Sequence, residues 1–197
     1  MKRLLLRRLS SDEEGQSLLE MAMILPLLLM IVLGTLEFGM IFDHHLSLEY
    51  ATREGARTGS ALANADNVVA DCANVDKQIV AAVERVLTSP GSDIDASQVS
   101  QIRIYKAQAN GNETAGLVNT WVYTPGAGPV VDGAALDFSP SSAPWNPCAR
   151  INVQTNPDQL GVSITYFYGF RTALGGFLGN ASLTMVDRTV MTLNPLS

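Results

Sequence analysis

The pattern of hydrophobic and polar positions predicts one long apolar helix near the start of the chain. From Met21 to Phe42 the residues read MAMILPLLLMIVLGTLEFGMIF, and Glu37 is the one charge among them. A helix of this length spans about 33 Å, close to the roughly 30 Å of a bilayer core. A buried core helix can be as apolar but is seldom as long. We therefore predict a membrane span that Pro26 bends, because proline removes a backbone hydrogen bond.

Charges on either side of the apolar run predict its orientation. Four basic residues lie within the first eight positions, whereas the segment after the run has mixed charge. The positive-inside rule then keeps the N-terminus in the cytoplasm and places residues from about 43 onward outside. The run is too long for the core of an ordinary secretory signal, and Thr35-Leu36-Glu37 is a poor cleavage site. We expect an uncleaved anchor, or a cut before the apolar run.

The helical pattern continues through residues 43–63, which contain no proline. One face of this stretch carries residues at spacings of three and four: Leu48, Thr52, Gly55, Gly59 and Leu62. Gly55 and Gly59 form a small-xxx-small step that lets another backbone approach closely. The same step also suits a helix packed on its own sheet, and both interpretations stay open here. We predict one helix from near Ser17 to near Ala63.

The remainder of the chain predicts a second helix followed by strands. Residues 74–88 carry valine and isoleucine at helical spacing and precede a Ser-Pro-Gly stop. Four runs have strand patterns: 101–107, 120–124, 161–170 and 182–193. The prolines of residues 125–148 exclude a central strand, so we predict a long irregular loop with a candidate contact surface at Trp145. The fold class is α+β: a long N-terminal transmembrane helix continues into an extracytoplasmic domain with a short second helix and a small antiparallel sheet of three to five strands.

The composition of the chain limits the partners and the chemical activities that we expect for it. The 197 residues carry a net charge of −6, which argues against nucleic acid as a partner. Cys72 and Cys148 both fall in the exported part, where an even count suggests one disulfide, with two unpaired thiols as the alternative. The only histidines, His44 and His45, lie just beyond the span, where we expect a solvated pair. Because no catalytic or nucleotide-binding motif is present, we expect no enzyme, no metal site and no cofactor.

The start of the chain adds a processing signal. Residues 1–15 are basic and then polar, and Gly15 is followed at the fifth position by Glu20, at the entrance to the apolar run. This G-x-x-x-x-E step resembles the class III signal of type IV prepilins. In that family a prepilin peptidase cuts after the glycine on the cytoplasmic side and leaves the apolar helix as the assembly element. The resemblance implies cleavage between Gly15 and Gln16.

Residues 15–57 resemble the TadE-like family of pseudopilins, or minor pilins, of tight-adherence (Flp-type) type IV pilus systems. The resemblance rests on Gly15, Glu20, Ala22, Pro26, Glu37-Phe38-Gly39, Ala51, Arg53 and Gly55-Ala56-Arg57. It implies a pilin-like fold and a role in pilus assembly and cell adhesion, at the bacterial cytoplasmic membrane and the cell surface. The implied partners are the prepilin peptidase, other pilins and pseudopilins, the pilus assembly platform and membrane lipid. Gln16 is a departure, since major pilins often have phenylalanine there.

The resemblance also implies roles for charged residues of the helix. Glu20 would pair with the free α-amine of Gln16 on another subunit and fix the register between helices. Glu37 would snorkel or meet an arginine of a neighbouring helix, with a plain interfacial carboxylate as the alternative. Arg53 and Arg57 would pair with nearby glutamates of their own helix or face pilus partners.

Four segments follow from this interpretation. Residues 1–15 form the cleaved leader, 16–42 the transmembrane and assembly helix, 43–63 its extracytoplasmic continuation, and 64–197 the extracytoplasmic α+β domain. The alternative, from a different functional class, is a single-pass anchored binding or scaffold domain with no filament role. Such a protein would keep residues 1–15 and tolerate Glu20→Ala.

Overall fold

The structure is a computed structural model, and it describes residues 10–63, 72–177, 179 and 181–194. Within these residues the helices are α1 (Ser10–Leu62), α2 (Val75–Leu87) and α3 (Ala173–Phe177). The strands are β1 (Val99–Ala107), β2 (Glu113–Tyr123), β3 (Val130–Val131), β4 (Ala134–Ala135), β5 (Phe138–Ser142), β6 (Gln159–Gly169) and β7 (Ser182–Thr192). The predicted α+β class is confirmed.

The strands form one large and one small sheet. The large sheet has the order β5-β2-β1-β6-β7, and β3 pairs with β4 in a two-stranded ribbon. Strand β1 lies at the centre, antiparallel to both β2 and β6, with Ile102 opposite Trp121 on one side and Ile164 on the other. The prediction of three to five strands in one antiparallel sheet is confirmed.

Two predicted boundaries are wrong. Residues 125–148 are not one irregular loop, because they contain the β3–β4 ribbon and β5. Strand β5 tolerates Pro140 because β5 is an edge strand of the sheet. The N–H and C=O groups along the outer edge of such a strand need no partner strand. Helix α1 extends further towards the N-terminus than the predicted start near Ser17, since its described part already includes Ser10.

The chain divides into two compact units. One contains α1 up to Met40 together with Gly169–Ala181, and the other contains Ile41–Tyr168 and the residues from Ser182 onward. The core of the second unit is apolar and fully buried, and it is formed by the end of α1, by α2 and by the sheet: Leu48, Ile79, Val83, Ile102, Ile104, Leu160 and Ile164. The division into four segments proposed from the sequence stays a prediction.

Candidate functional site

The residues of the predicted cleavage site lie on the exposed surface of α1. Gly15, Gln16 and Glu20 are all exposed. The side-chain amide of Gln16 donates a hydrogen bond to Glu20 Oε1 at 3.2 Å, one helical turn away. A side chain at Gly15 would meet no atom within 4 Å. The predicted processing and register roles of these residues stay predictions.

The apolar part of α1 is exposed on all sides from Leu18 to Val32. Thirteen large apolar side chains between Leu18 and Leu36 each expose 45–75% of their surface. Pro26 lies inside this stretch, which runs as one helix. Among the described residues, this helix is the one that is long and apolar enough to cross a membrane. A surface of this kind is far larger than the apolar patches that soluble monomers usually expose.

Glu37 is buried within the chain, and the environments predicted for it in a membrane or beside another helix stay predictions. Its Oε1 accepts a hydrogen bond from the backbone N–H of Arg171 at 3.0 Å, and its Oε2 accepts one from Thr172 at 2.8 Å. Both donors come from the connection between β6 and β7, and this connection could not be placed from sequence spacing. Near the same place, Leu174 Cδ1 lies 4.0 Å from the position that a Cβ would have at Gly34.

Gly55 and Gly59 pack inside their own unit. This agrees with the interpretation that the small-xxx-small step serves a helix packed within its own chain. A Cβ on Gly55 would lie 2.6 Å from Val83 Cγ2, and a Cβ on Gly59 would lie 2.9 Å from Ile79 Cδ1 and from Leu160. The small residues therefore let α1 approach α2 and β6 closely. They are not presented to another subunit.

The two arginines of this part of α1 make the intrahelical ion pairs named as one alternative. Arg53 pairs with Glu49 one turn earlier. Arg57 donates to both carboxylate oxygens of Glu54, at 2.8 and 3.0 Å. All four side chains lie on the outer side of the helix, and surface pairs of this kind contribute little stability.

Cys72 and Cys148 form a disulfide, with their Cα atoms 5.0 Å apart, as the sequence predicted. Trp145 lies near this bond in sequence, and the prediction that it forms a contact surface is wrong because the ring is buried. The guanidinium of Arg150 lies 4.2 Å above the Trp145 ring. The backbone N–H of Trp145 donates to Asn119 Oδ1, and its carbonyl accepts from Asn119 Nδ2, each at 2.7 Å.

A buried carboxylate joins this region to α2. Asp76 accepts hydrogen bonds from Arg150 Nη2 at 2.5 Å and from Asn119 Nδ2 at 2.6 Å. No sequence pattern predicts this cluster, since Asp76 lies 43 positions from Asn119 and 74 positions from Arg150. Its role is structural: it ties the chain beyond β5 to α2 and β2.

The histidine pair is not a solvated pair as predicted. His44 is buried against the rings of Tyr166 and Tyr168, with centroids 5.5 and 5.0 Å away, whereas His45 is exposed. The helical period explains the difference, because His44 shares the inner face of α1 with Leu48 and Thr52. No cluster of potential metal ligands occurs in the part of the chain that the structure describes.

Comparison with known proteins identifies the first part of α1 and its continuation. Residues 15–57 match the family model described as TadE-like protein. No curated protein and no solved structure matches the chain. The matched stretch is about a fifth of the 197 residues, and it contains Gly15, Glu20, Glu37 and the two close-packing glycines. The resemblance seen in the sequence is confirmed: residues 15–57 form a TadE-like segment.

Proposed function

We propose that this protein is a minor pilin, or pseudopilin, that takes part in assembling a tight-adherence type IV pilus. One observation supports this most strongly: the TadE-like match begins at Gly15 and covers a helix whose apolar half is exposed. Fully burying one large apolar side chain is worth about 1.5–3 kcal/mol, so this half requires lipid or other helices around it. The bacterial cytoplasmic membrane supplies the lipid, and a bundle of pilin helices supplies the neighbouring helices.

The proposed orientation is single-pass, with the N-terminus in the cytoplasm. Four basic residues among the first eight favour this arrangement. The unit that begins at Ile41 then lies outside the membrane, where a disulfide between Cys72 and Cys148 is stable.

Cleavage between Gly15 and Gln16 would create a charged partner for Glu20. A carboxylate within an apolar helix costs about 2.5–3.5 kcal/mol at the bilayer centre and less near the interface. Cleavage creates an ammonium on Gln16, and the exposed Glu20 of one subunit is the partner we propose for the ammonium of another. Because a buried ion pair does not reliably add stability, its role is to fix register between helices.

In this proposal the protein catalyses no reaction, and it uses neither a cofactor nor a catalytic group. Its partners are the prepilin peptidase, other pilins and the assembly platform. The unit from Ile41 onward caps, initiates or decorates the filament, and thereby contributes to adhesion.

The mass of the membrane-extracted protein tests the processing step. The full chain is expressed in a bacterium with and without the prepilin peptidase of a tight-adherence system, extracted in detergent and measured by intact mass spectrometry. Mass is preferable to chemical sequencing, because an N-terminal glutamine can cyclise and block the latter. We expect a chain that begins at Gln16 only when the peptidase is present.

Two glycine substitutions provide the matched control. Gly15→Leu should abolish cleavage, whereas Gly39→Leu should leave it intact. Both positions lie in α1, are exposed and have no atom within 4 Å of an added Cβ, so the two substitutions are matched in their surroundings. A wild-type chain that still begins at Met1 in the presence of active peptidase would overturn the proposal and favour the anchored scaffold domain.

A further inference from the structure

The connection between β6 and β7 belongs with the apolar helix and not with the sheet. Residues 169–181 read GFRTALGGFLGNA and contain one charged residue, Arg171. Their described part groups with α1 up to Met40 in one compact unit. The β6–β7 segment, as we call residues 169–177, includes the short helix α3.

Four backbone N–H groups of the β6–β7 segment have hydrogen-bond partners within the chain. The N–H groups of Arg171 and Thr172 donate to Glu37, as described above. The N–H of Leu174 donates to Thr172 Oγ1 at 3.3 Å, and that of Gly175 donates to the Thr172 carbonyl at 3.0 Å. A loop in water does not require this, since water binds free N–H groups. In the apolar core of a bilayer every such group needs an internal partner.

The β6–β7 segment also reaches deep along the apolar helix. Leu174 lies at Gly34, eight residues before Phe42, the predicted outer end of the span. Eight residues correspond to about 12 Å along a helix axis. The neighbouring side chains of α1 are apolar and exposed, Phe38 by 70% and Leu36 by 57%. The segment therefore lies beside a stretch of α1 whose surface is suited to lipid.

We propose that the β6–β7 segment inserts into the outer half of the bilayer beside α1, in contact with phospholipid acyl chains. The Glu37 carboxylate holds the segment there by accepting its first two N–H groups. This inference rests on the proposed anchoring of α1, and it gives the protein a second membrane contact that begins 127 positions after Phe42. The remainder of the β6–β7 connection carries no further charge.

A lipid-quenching experiment tests this insertion. Single cysteines are introduced at Gly176, in the segment, at Leu28, in the apolar half of α1, and at Ala109, in the exposed turn between β1 and β2. The native cysteines are joined to each other, so each variant has one free thiol for a nitrobenzoxadiazole label. The full chain is reconstituted in phosphatidylethanolamine–phosphatidylglycerol vesicles containing lipid with a nitroxide near the headgroup end of its acyl chain.

We expect the nitroxide lipid to quench labels at Gly176→Cys and Leu28→Cys, and to leave the label at Ala109→Cys unaffected. An added Cβ at Gly176 meets no atom within 4 Å, so the substitution is tolerated. Ala173→Cys, also exposed, is a second position in the same segment.

The outcomes separate this inference from the anchoring on which it rests. If Leu28→Cys is quenched while Gly176→Cys and Ala173→Cys behave like Ala109→Cys, the insertion is wrong and the anchoring stands. If Leu28→Cys is not quenched, the anchoring itself fails. Adding Glu37→Ala to Gly176→Cys should reduce the quenching, and unchanged quenching would overturn the holding role of Glu37.

Discussion

The two halves of α1 have the same secondary structure but opposite surroundings. Leu28, in the first half, exposes 53% of its surface, whereas Leu48, in the second, exposes none. Between Met21 and Met40 the helix is apolar on every side except at Glu37. After Ile41 it has a buried face of small and apolar residues and an outer face of paired charges.

This difference shows what each half is built to contact. A helix that is hydrophobic all round belongs inside a membrane or a bundle, whereas a one-sided helix packs on a single neighbour. The second half packs on α2 and β6 of its own chain, because Gly55 and Gly59 have no side chain and allow close approach. The first half is largely exposed in the single chain, which fits the proposed contacts with lipid and with other subunits.

One substitution made in both halves gives the largest expected contrast. Leu48→Ala should lower the free energy of unfolding by about 2–5 kcal/mol, because it removes buried methyl groups and leaves a cavity. Leu28→Ala should change it by less than about 0.5 kcal/mol, as exposed substitutions usually do.

Guanidinium unfolding of the full chain in detergent measures both variants. Trp121 and Trp145 are buried in the unit that begins at Ile41, so their fluorescence reports on that unit. Equal destabilisation by the two variants would break the comparison between the halves of α1.

A smaller expected effect is a dependence of stability on pH, and it comes from Glu84 inside the unit that begins at Ile41. Burial raises the pKa of Glu84 in α2, and the nearby Asp137 charge adds to this, although the Asp137 N–H donates to Glu84 Oε2 at 3.0 Å. Folding therefore favours the protonated form. The stability that this gives is present below the unfolded pKa, about 4.3, and is lost as pH rises through the folded pKa.

Glu84→Gln removes this dependence. The free energy of unfolding of the wild type relative to the variant should fall as pH rises from about 3 to about 7. The change should be less than about 1 kcal/mol, because the carboxylate is half-exposed and screened. Unfolding curves of both proteins across this range measure it. A difference that is constant or increases with pH would contradict the raised pKa.

Local patterns in the sequence were sufficient for the main elements. Uninterrupted apolar character predicted the first half of α1, spacing of three and four predicted the inner face of the second, and alternation predicted β1 and β6. The disulfide was predicted from the even number of cysteines, both in the segment that we expected to be exported. A short sequence step at Gly15 and Glu20 suggested a resemblance to the TadE-like family, and residues 15–57 match that family model.

The features that the sequence did not predict depend on contacts between distant residues. Glu37 binds N–H groups that lie 134 and 135 positions later, and Asp76 binds Arg150 across 74 positions. Neither contact follows a helical or strand period. The burial of Trp145 has the same origin, because Asn119 and Arg150 come from other parts of the chain.

The role of Glu20 in assembly tests the central claim most directly. The measurement is the share of the protein in the sheared pilus fraction, relative to the membrane fraction, for wild type, Glu20→Ala and Glu49→Ala in cells with a complete tight-adherence system. Glu49 is a matched control, since it lies in the second half of α1 and is paired with Arg53 of its own chain. We predict that Glu20→Ala is still cleaved to begin at Gln16 but is depleted from the pilus fraction, whereas Glu49→Ala behaves like the wild type. A Glu20→Ala protein present in the pilus fraction at the wild-type level would contradict the account.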